Sequence, residues 1–182
     1  TEGLTLAYST PTGKVLERRR IEDGELSFSP LAFPGQGNAL LGTHGGSTFL
    51  ALVPEVPGGP ATIRRIDASG NVVWVQTQIL SALAVGYGKA LAADSGNVFL
   101  LYEVVDSAYP PVDVSGHFVA SLRAADGAPS GPSIQVGPRG LWSMRNGPVG
   151  LLVYAGGVVS RIDDVLAFGP GDGVLDPAGC GG

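Results

Sequence analysis

Two histidines, His44 and His117, are the only imidazoles in the chain. A metal centre or an acid–base pair would need them to converge. His44 falls at a turn and His117 at the start of an apolar run in another segment, so no such pair is expected. Asp163 and Asp164 are adjacent. Adjacent side chains of an extended chain point to opposite sides, which suits a solvated turn better than a paired acid and base. Asp67 and Asp126 stand in turn sequences, where a carboxylate caps its own backbone. Asp172 and Asp176, four apart, offer two oxygens toward Ca²⁺, which takes about six to eight. Gly45-Gly46 and Gly156-Gly157 read as turn glycines, since no strand–glycine loop–helix context surrounds them. No Gly-x-Ser-x-Gly elbow occurs. We therefore expect no catalytic residue, no metal and no cofactor.

The aromatic side chains are the remaining chemistry. Trp74, Trp142, Tyr87, Tyr102, Tyr109 and Tyr154 could stack on sugars, and Trp142 and Tyr87 fall at strand edges where this is feasible. Core packing is the competing and favoured use of these rings. Tyr109-Pro110-Pro111 lies in a long loop, 106–116, and makes a stiff, partly aromatic tip. Together with the loop Pro54–Pro60 it is the expected contact segment, because loop tips on a rigid scaffold carry function.

The elements that must position these residues are constrained by composition. The chain has 182 residues, 29 of them Gly and 14 Pro. Hydrophobic residues make up 44%, enough to offset chain entropy and to exclude disorder. Charged residues are 15%, against roughly 25% in an average domain, too few for the outer faces of a helical bundle. A mostly β chain remains. Net charge is −5, the wrong sign for a general nucleic-acid binder. The one basic run, Arg18-Arg19-Arg20, meets Glu22, Asp23 and Glu25 at once and reads as a solvated strand end. No apolar run approaches the roughly 18 residues of a membrane span, so no membrane insertion is expected. The single cysteine, Cys180, supports neither a disulfide framework nor a zinc site, though it could pair with another chain.

The chain repeats. Turn glycines Gly13, Gly70 and Gly127 are spaced by 57 and 57, and a second series, Gly46, Gly96 and Gly147, by 50 and 51. Each unit reads as four short strands. In the second unit these are Asn38–Thr43, Thr48–Val53, Thr62–Ile66 and Asn71–Thr77. In the third they are Ala90–Ala93, Val98–Val104, His117–Leu122 and Ser133–Val136. In the fourth they are Leu141–Met144, Val149–Tyr154, Val158–Ile162 and Val165–Phe168. The first unit shows only Leu4–Ser9 and Lys14–Arg19. The second strand of a unit is apolar almost throughout, as in Phe49-Leu50-Ala51-Leu52-Val53, and should be buried on both faces between neighbouring units. The fourth strand alternates, with Val73 and Val75 opposite Trp74 and Gln76, as an outer strand does.

A four-stranded unit of about 50 residues is the blade of a β-propeller. The expected fold is all-β, with four-stranded antiparallel blades and about three and a half blades in this chain. The expected boundaries are 1–28 for a partial blade, then 29–80, 81–137 and 138–168, with a Gly-rich tail at 169–182. A partial ring would be completed by a missing segment or by a partner, including self-association.

The stretch Thr62-Ile63-Arg64-Arg65-Ile66-Asp67-Ala68-Ser69-Gly70-Asn71-Val72-Val73-Trp74 resembles the blade signature of bacterial SBBP-type β-propeller repeats. His117 to Gly127 resembles the same stretch one blade later, and Ser95-Gly96-Asn97-Val98-Phe99 resembles the inner turn of those repeats. The Trp is matched only at Trp74. The tail from Gly171 to Cys180 is similar to the opening of a cysteine-rich repeat. The resemblance implies a non-enzymatic scaffold of the extracellular or cell-surface kind found in myxobacteria-like organisms. Its expected role is protein–protein interaction through blade-end loops. A carbohydrate-binding propeller is the alternative, and an enzyme whose catalytic groups lie outside this chain is a third.

Overall fold

In a computed structural model of the chain, the residues described are 3–35, 37–54, 56, 59–79, 85–105, 116–137, 142–147, 150–155 and 158–161. They form four antiparallel sheets. The first contains β1 (Gly3–Thr10), β2 (Gly13–Arg20) and β3 (Leu31–Pro34). The second contains β4 (Asn38–His44), β5 (Ser47–Val53), β6 (Pro60–Ile66) and β7 (Val72–Ile79). The third contains β8 (Val85–Ala93), β9 (Asn97–Val105), β10 (Gly116–Arg123) and β11 (Ile134–Gly137). The fourth contains β12 (Trp142–Gly147), β13 (Gly150–Ala155) and β14 (Val158–Arg161). In every sheet the strands lie in chain order, so each sheet is a meander.

The sheets pack face to face in sequence, and strand periodicity says why. Successive side chains of a strand point to opposite faces. In β5, Phe49, Ala51 and Val53 pack against the third sheet, while Leu50 packs against the first. In β9, Val98, Leu100, Tyr102 and Val104 face the second sheet, while Phe99 and Leu101 face the fourth through Met144 and Val153. Phe49, Leu50, Ala51 and Val53 are all buried, and so are Val98 through Tyr102. A strand with apolar neighbours on both faces cannot alternate with polar residues, as the uninterrupted apolar runs imply. The first strands of consecutive sheets also adjoin: β1 with β4, β4 with β8, and β8 with β12.

The strands match the sequence reading except in two places. Leu31–Pro34, placed by the repeat spacing in the unit 29–80, pairs with β2 and closes the first sheet: Gly13 opposes Pro34 and Leu16 opposes Leu31. The inner strand β8 begins at Val85, five residues before its expected start, and absorbs a register shift between Gly88 and Ala90. Glycine is needed there because a Cβ at Gly88 would fall 2.8 Å from both Leu40 and Val53, where the second sheet closes in. The segment 165–168 and the tail 169–182 lie outside the described residues.

The turn series also changes. Gly13 opens β2 directly after the turn from β1, so it is not the counterpart of Gly70 or Gly127, which stand in the turns after β6 and β10. Gly24 is. The Arg20 N–H donates to Glu25 O and the Gly24 N–H to Arg20 O, at 2.9 and 3.0 Å; the Arg123 N–H donates to Ala128 O and the Gly127 N–H to Arg123 O, at 2.8 and 2.9 Å. Arg20–Asp23 and Arg123–Asp126 are matching ion pairs, each 2.8 Å. Thus β1, β2 and β3 correspond to the last three strands of the third sheet, and among the described residues no strand of the first sheet corresponds to β8.

Candidate functional site

The turn glycines Gly24, Gly70 and Gly127 all have positive φ, of 72°, 87° and 74°. Two of them serve a second purpose, and it joins neighbouring sheets. A Cβ on Gly70 would lie 2.6 Å from the ring of Phe28, and a Cβ on Gly127 would lie 2.6 Å from the ring of Trp74. Phe28 stands four residues after Gly24, and Trp74 four residues after Gly70. Each aromatic therefore leaves its own turn and docks on the turn glycine of the next sheet. At the corresponding place in the third sheet stands Gly131, with no ring to donate.

Polar contacts reinforce the second dock. The Trp74 Nε1–H donates to Ala124 O at 3.1 Å. The Arg65 Nη1 donates to the same carbonyl at 3.1 Å, and its Nε donates to Ser47 Oγ at 3.1 Å. Trp74 also meets Phe49, with ring centroids 6.1 Å apart. Arg18, one strand-position equivalent of Arg65, reaches from the first sheet to Gly46 O at 2.8 Å. That contact roofs a cleft of about 260 Å³ lined by Gly3, Thr5, Thr43, His44 and Ser47 among others. Between the same two sheets the Arg64 guanidinium lies 4.9 Å from the centre of the Phe33 ring, and burial lowers its pKa.

The turn aspartates cap their own loops. Asp67 accepts from the side chain of Asn71 at 3.0 Å and from the backbone N–H groups of Asn71 and Ser69 at 2.8 and 2.9 Å. The Asn71 side chain and then its N–H hold the Asp67 carboxyl below its usual range. Asp126 is lowered by the Ala128 N–H and then by Arg123, and Asp23 by Arg20 and then by the Glu25 N–H.

The residues singled out in the sequence are spread across the fold. His44 is exposed at the end of β4, and His117 is fully buried in β10 of another sheet. Among the described residues no three His, Cys, Asp or Glu side chains gather as a metal site would require. Tyr87 is half-buried in β8, with Lys89 Nζ 5.9 Å from its ring centre and in turn 2.7 Å from Glu103. Trp142 opens β12 opposite Ala155. Tyr102 is buried and stacked on Phe118 at 5.6 Å, and burial pushes its phenol up. Tyr154 is exposed. Tyr109, Pro110, Pro111, Asp163, Asp164, Asp172, Asp176 and Cys180 lie outside the described residues. The docks were missed in the sequence because they join residues of different units. Their only trace is the shared offset of four from glycine to aromatic at 24/28 and 70/74. No protein-family model, curated protein or solved structure matches the chain.

Proposed function

We propose that the four sheets are blades of a β-propeller and that the chain works as a non-enzymatic scaffold for protein–protein interaction. The observation that carries the reading is the packing order. Each sheet meets the next face to face, and the first strands of the last three sheets, β4, β8 and β12, follow one another along one side of the stack. In a propeller that side faces the axis. Among the described residues the first and fourth sheets show three strands each and stand at the two ends of the series. The resemblance to SBBP-type repeats agrees with this reading, and with it goes an extracellular or cell-surface setting.

The contact segments of the proposal are the connections 54–60 and 106–116. Shortening both to Gly-Ser links, in a chain whose far-ultraviolet circular dichroism is unchanged, should abolish capture of its protein partner in a surface-binding assay. Full binding by the shortened chain would sink the loop assignment. The carbohydrate-binding alternative loses two of its rings, since Trp74 is docked on Gly127 and Tyr102 is buried on Phe118. A glycan array with Tyr87→Ala and Trp142→Ala separates the two readings.

A further inference from the structure

Each internal sheet has a front, covered by the sheet before it, and a back, covered by the sheet after it. Among the described residues, the stack leaves one front and one back without a neighbouring sheet. The uncovered front is on the first sheet. Leu4, Leu6 and Tyr8 occupy the strand positions of Thr48, Leu50 and Leu52, yet they are 54%, 37% and 46% exposed, where Leu50 is 0%. Ile21, the counterpart of Ala124, is 64% exposed, and a Cβ on Gly24 would meet nothing within 4 Å. The uncovered back is on the fourth sheet. Val153 is buried against the third sheet, so its neighbours Leu152 and Tyr154 point the other way, and Tyr154 is 42% exposed. Leu152 pairs with Arg161 as Phe49 pairs with Arg65. Arg161-Ile162-Asp163 also repeats Arg65-Ile66-Asp67.

We infer that the front of the first sheet is a docking surface for the back of the fourth sheet of a second copy of this chain. The argument is continuity: the same front-to-back contact is already made between the first and second sheets and between the second and third. Position for position, Leu152 and Tyr154 take the places of Phe49 and Ala51, and Arg161 takes the place of Arg65, which binds the turn carbonyl of the sheet it meets. Two chains joined head to tail at both ends bring together eight sheets, within the roughly 4–8 blades of known propellers. The count of blades rests on the propeller reading; the contact itself rests on the exposed faces.

Sedimentation velocity of the 182-residue chain should show a species of twice the 18.5 kDa chain mass. Leu6→Glu on the front and Tyr154→Glu on the back should each yield a folded monomer, because both side chains are exposed in the single chain. Each should raise the dissociation constant by roughly thirtyfold or more. Ile21→Glu is a second front variant, should Leu6→Glu fail to fold. Mixed one to one, the front variant and the back variant each keep one intact surface, so they should form a heterodimer that neither forms alone. A wild-type monomer at high concentration overturns the inference. So does a dimer that survives both variants. Loss of dimer with Leu6→Glu alone, Tyr154→Glu being indifferent, means a front-to-front contact and also overturns it. A crystal structure of the Leu6→Glu monomer reads the ring separately: sheets fanned about one axis support the propeller, and sheets stacked without an axis overturn the propeller reading and the closed eight-sheet ring with it.

Discussion

Replacing Gly127 by alanine tests the dock between the second and third sheets. The new Cβ would sit 2.6, 2.8 and 3.0 Å from three carbons of the Trp74 ring, closer than carbon atoms approach, so the indole must leave. Leaving breaks its N–H bond to Ala124 O, about 1 kcal/mol, and uncovers part of the ring, about 1–2 kcal/mol. To this is added the strain of alanine at a φ of 74°, about 1–2 kcal/mol. The sum is about 3–5 kcal/mol. Gly24→Ala is the matched control. Its φ is 72° and its Cβ would meet nothing within 4 Å, so it carries the strain alone. Changes in the unfolded chain are common to both variants and cancel in the comparison. Urea denaturation followed by far-ultraviolet circular dichroism should place Gly127→Ala about 2–3 kcal/mol below Gly24→Ala. In a Trp74→Ala background the clash has no partner, and Gly127→Ala should then resemble Gly24→Ala, a coupling of about 2 kcal/mol in a double-mutant cycle. Equal losses for Gly24→Ala and Gly127→Ala in the wild-type background would refute the dock as a source of stability.

Other outcomes follow from the same geometry. Trp74→Phe keeps a ring on Gly127 but removes the N–H donor, and denaturation should register a loss of about 1 kcal/mol. Leu100→Ala opens a cavity between the second and third sheets and should lose about 3 kcal/mol, whereas Leu4→Ala, on the uncovered front, should lose less than about 0.5 kcal/mol in the monomer. Asp23, Asp67 and Asp126 have depressed folded pKa values, so the stability they contribute is fully present above the ordinary carboxylate range and is lost as pH falls through the folded values. Thermal melts should fall below about pH 4, and a Asp67→Asn, Asp126→Asn double variant should flatten that acid limb. An acid limb as steep as that of the wild type would show that these caps do not couple to folding.

Much of this fold is written in local pattern. The apolar runs at 49–53 and 98–102 announce strands covered on both faces, and Asp67-Ala68-Ser69-Gly70 announces its turn, because both depend on neighbours in sequence. Two things depend on partners far along the chain and were misread. Leu31–Pro34 is a strand only because β2 offers a free edge, with pairing residues 15 to 21 positions back. Gly13 imitated the spacing of Gly70 and Gly127, while the real counterpart, Gly24, is set by backbone hydrogen bonds that no spacing reveals. The candidate surface was less legible still. Leu4, Leu6 and Tyr8 look like any half-buried strand, and only the covered fronts of the other sheets show that theirs is open.

The offset between glycine and aromatic gives the chain a grammar. A sheet with a turn glycine can follow a sheet with a ring, and a sheet with a ring can precede one with a glycine. The second sheet has both, in Gly70 and Trp74, so a duplicate spliced in after it would find its own glycine under the original Trp74 and set its own ring on Gly127. The third sheet has Gly127 but carries Gly131 where the ring would stand. It can accept and cannot donate. Lengthening this protein by design is therefore a matter of copying its second sheet, and the third marks where that series of copies has to stop.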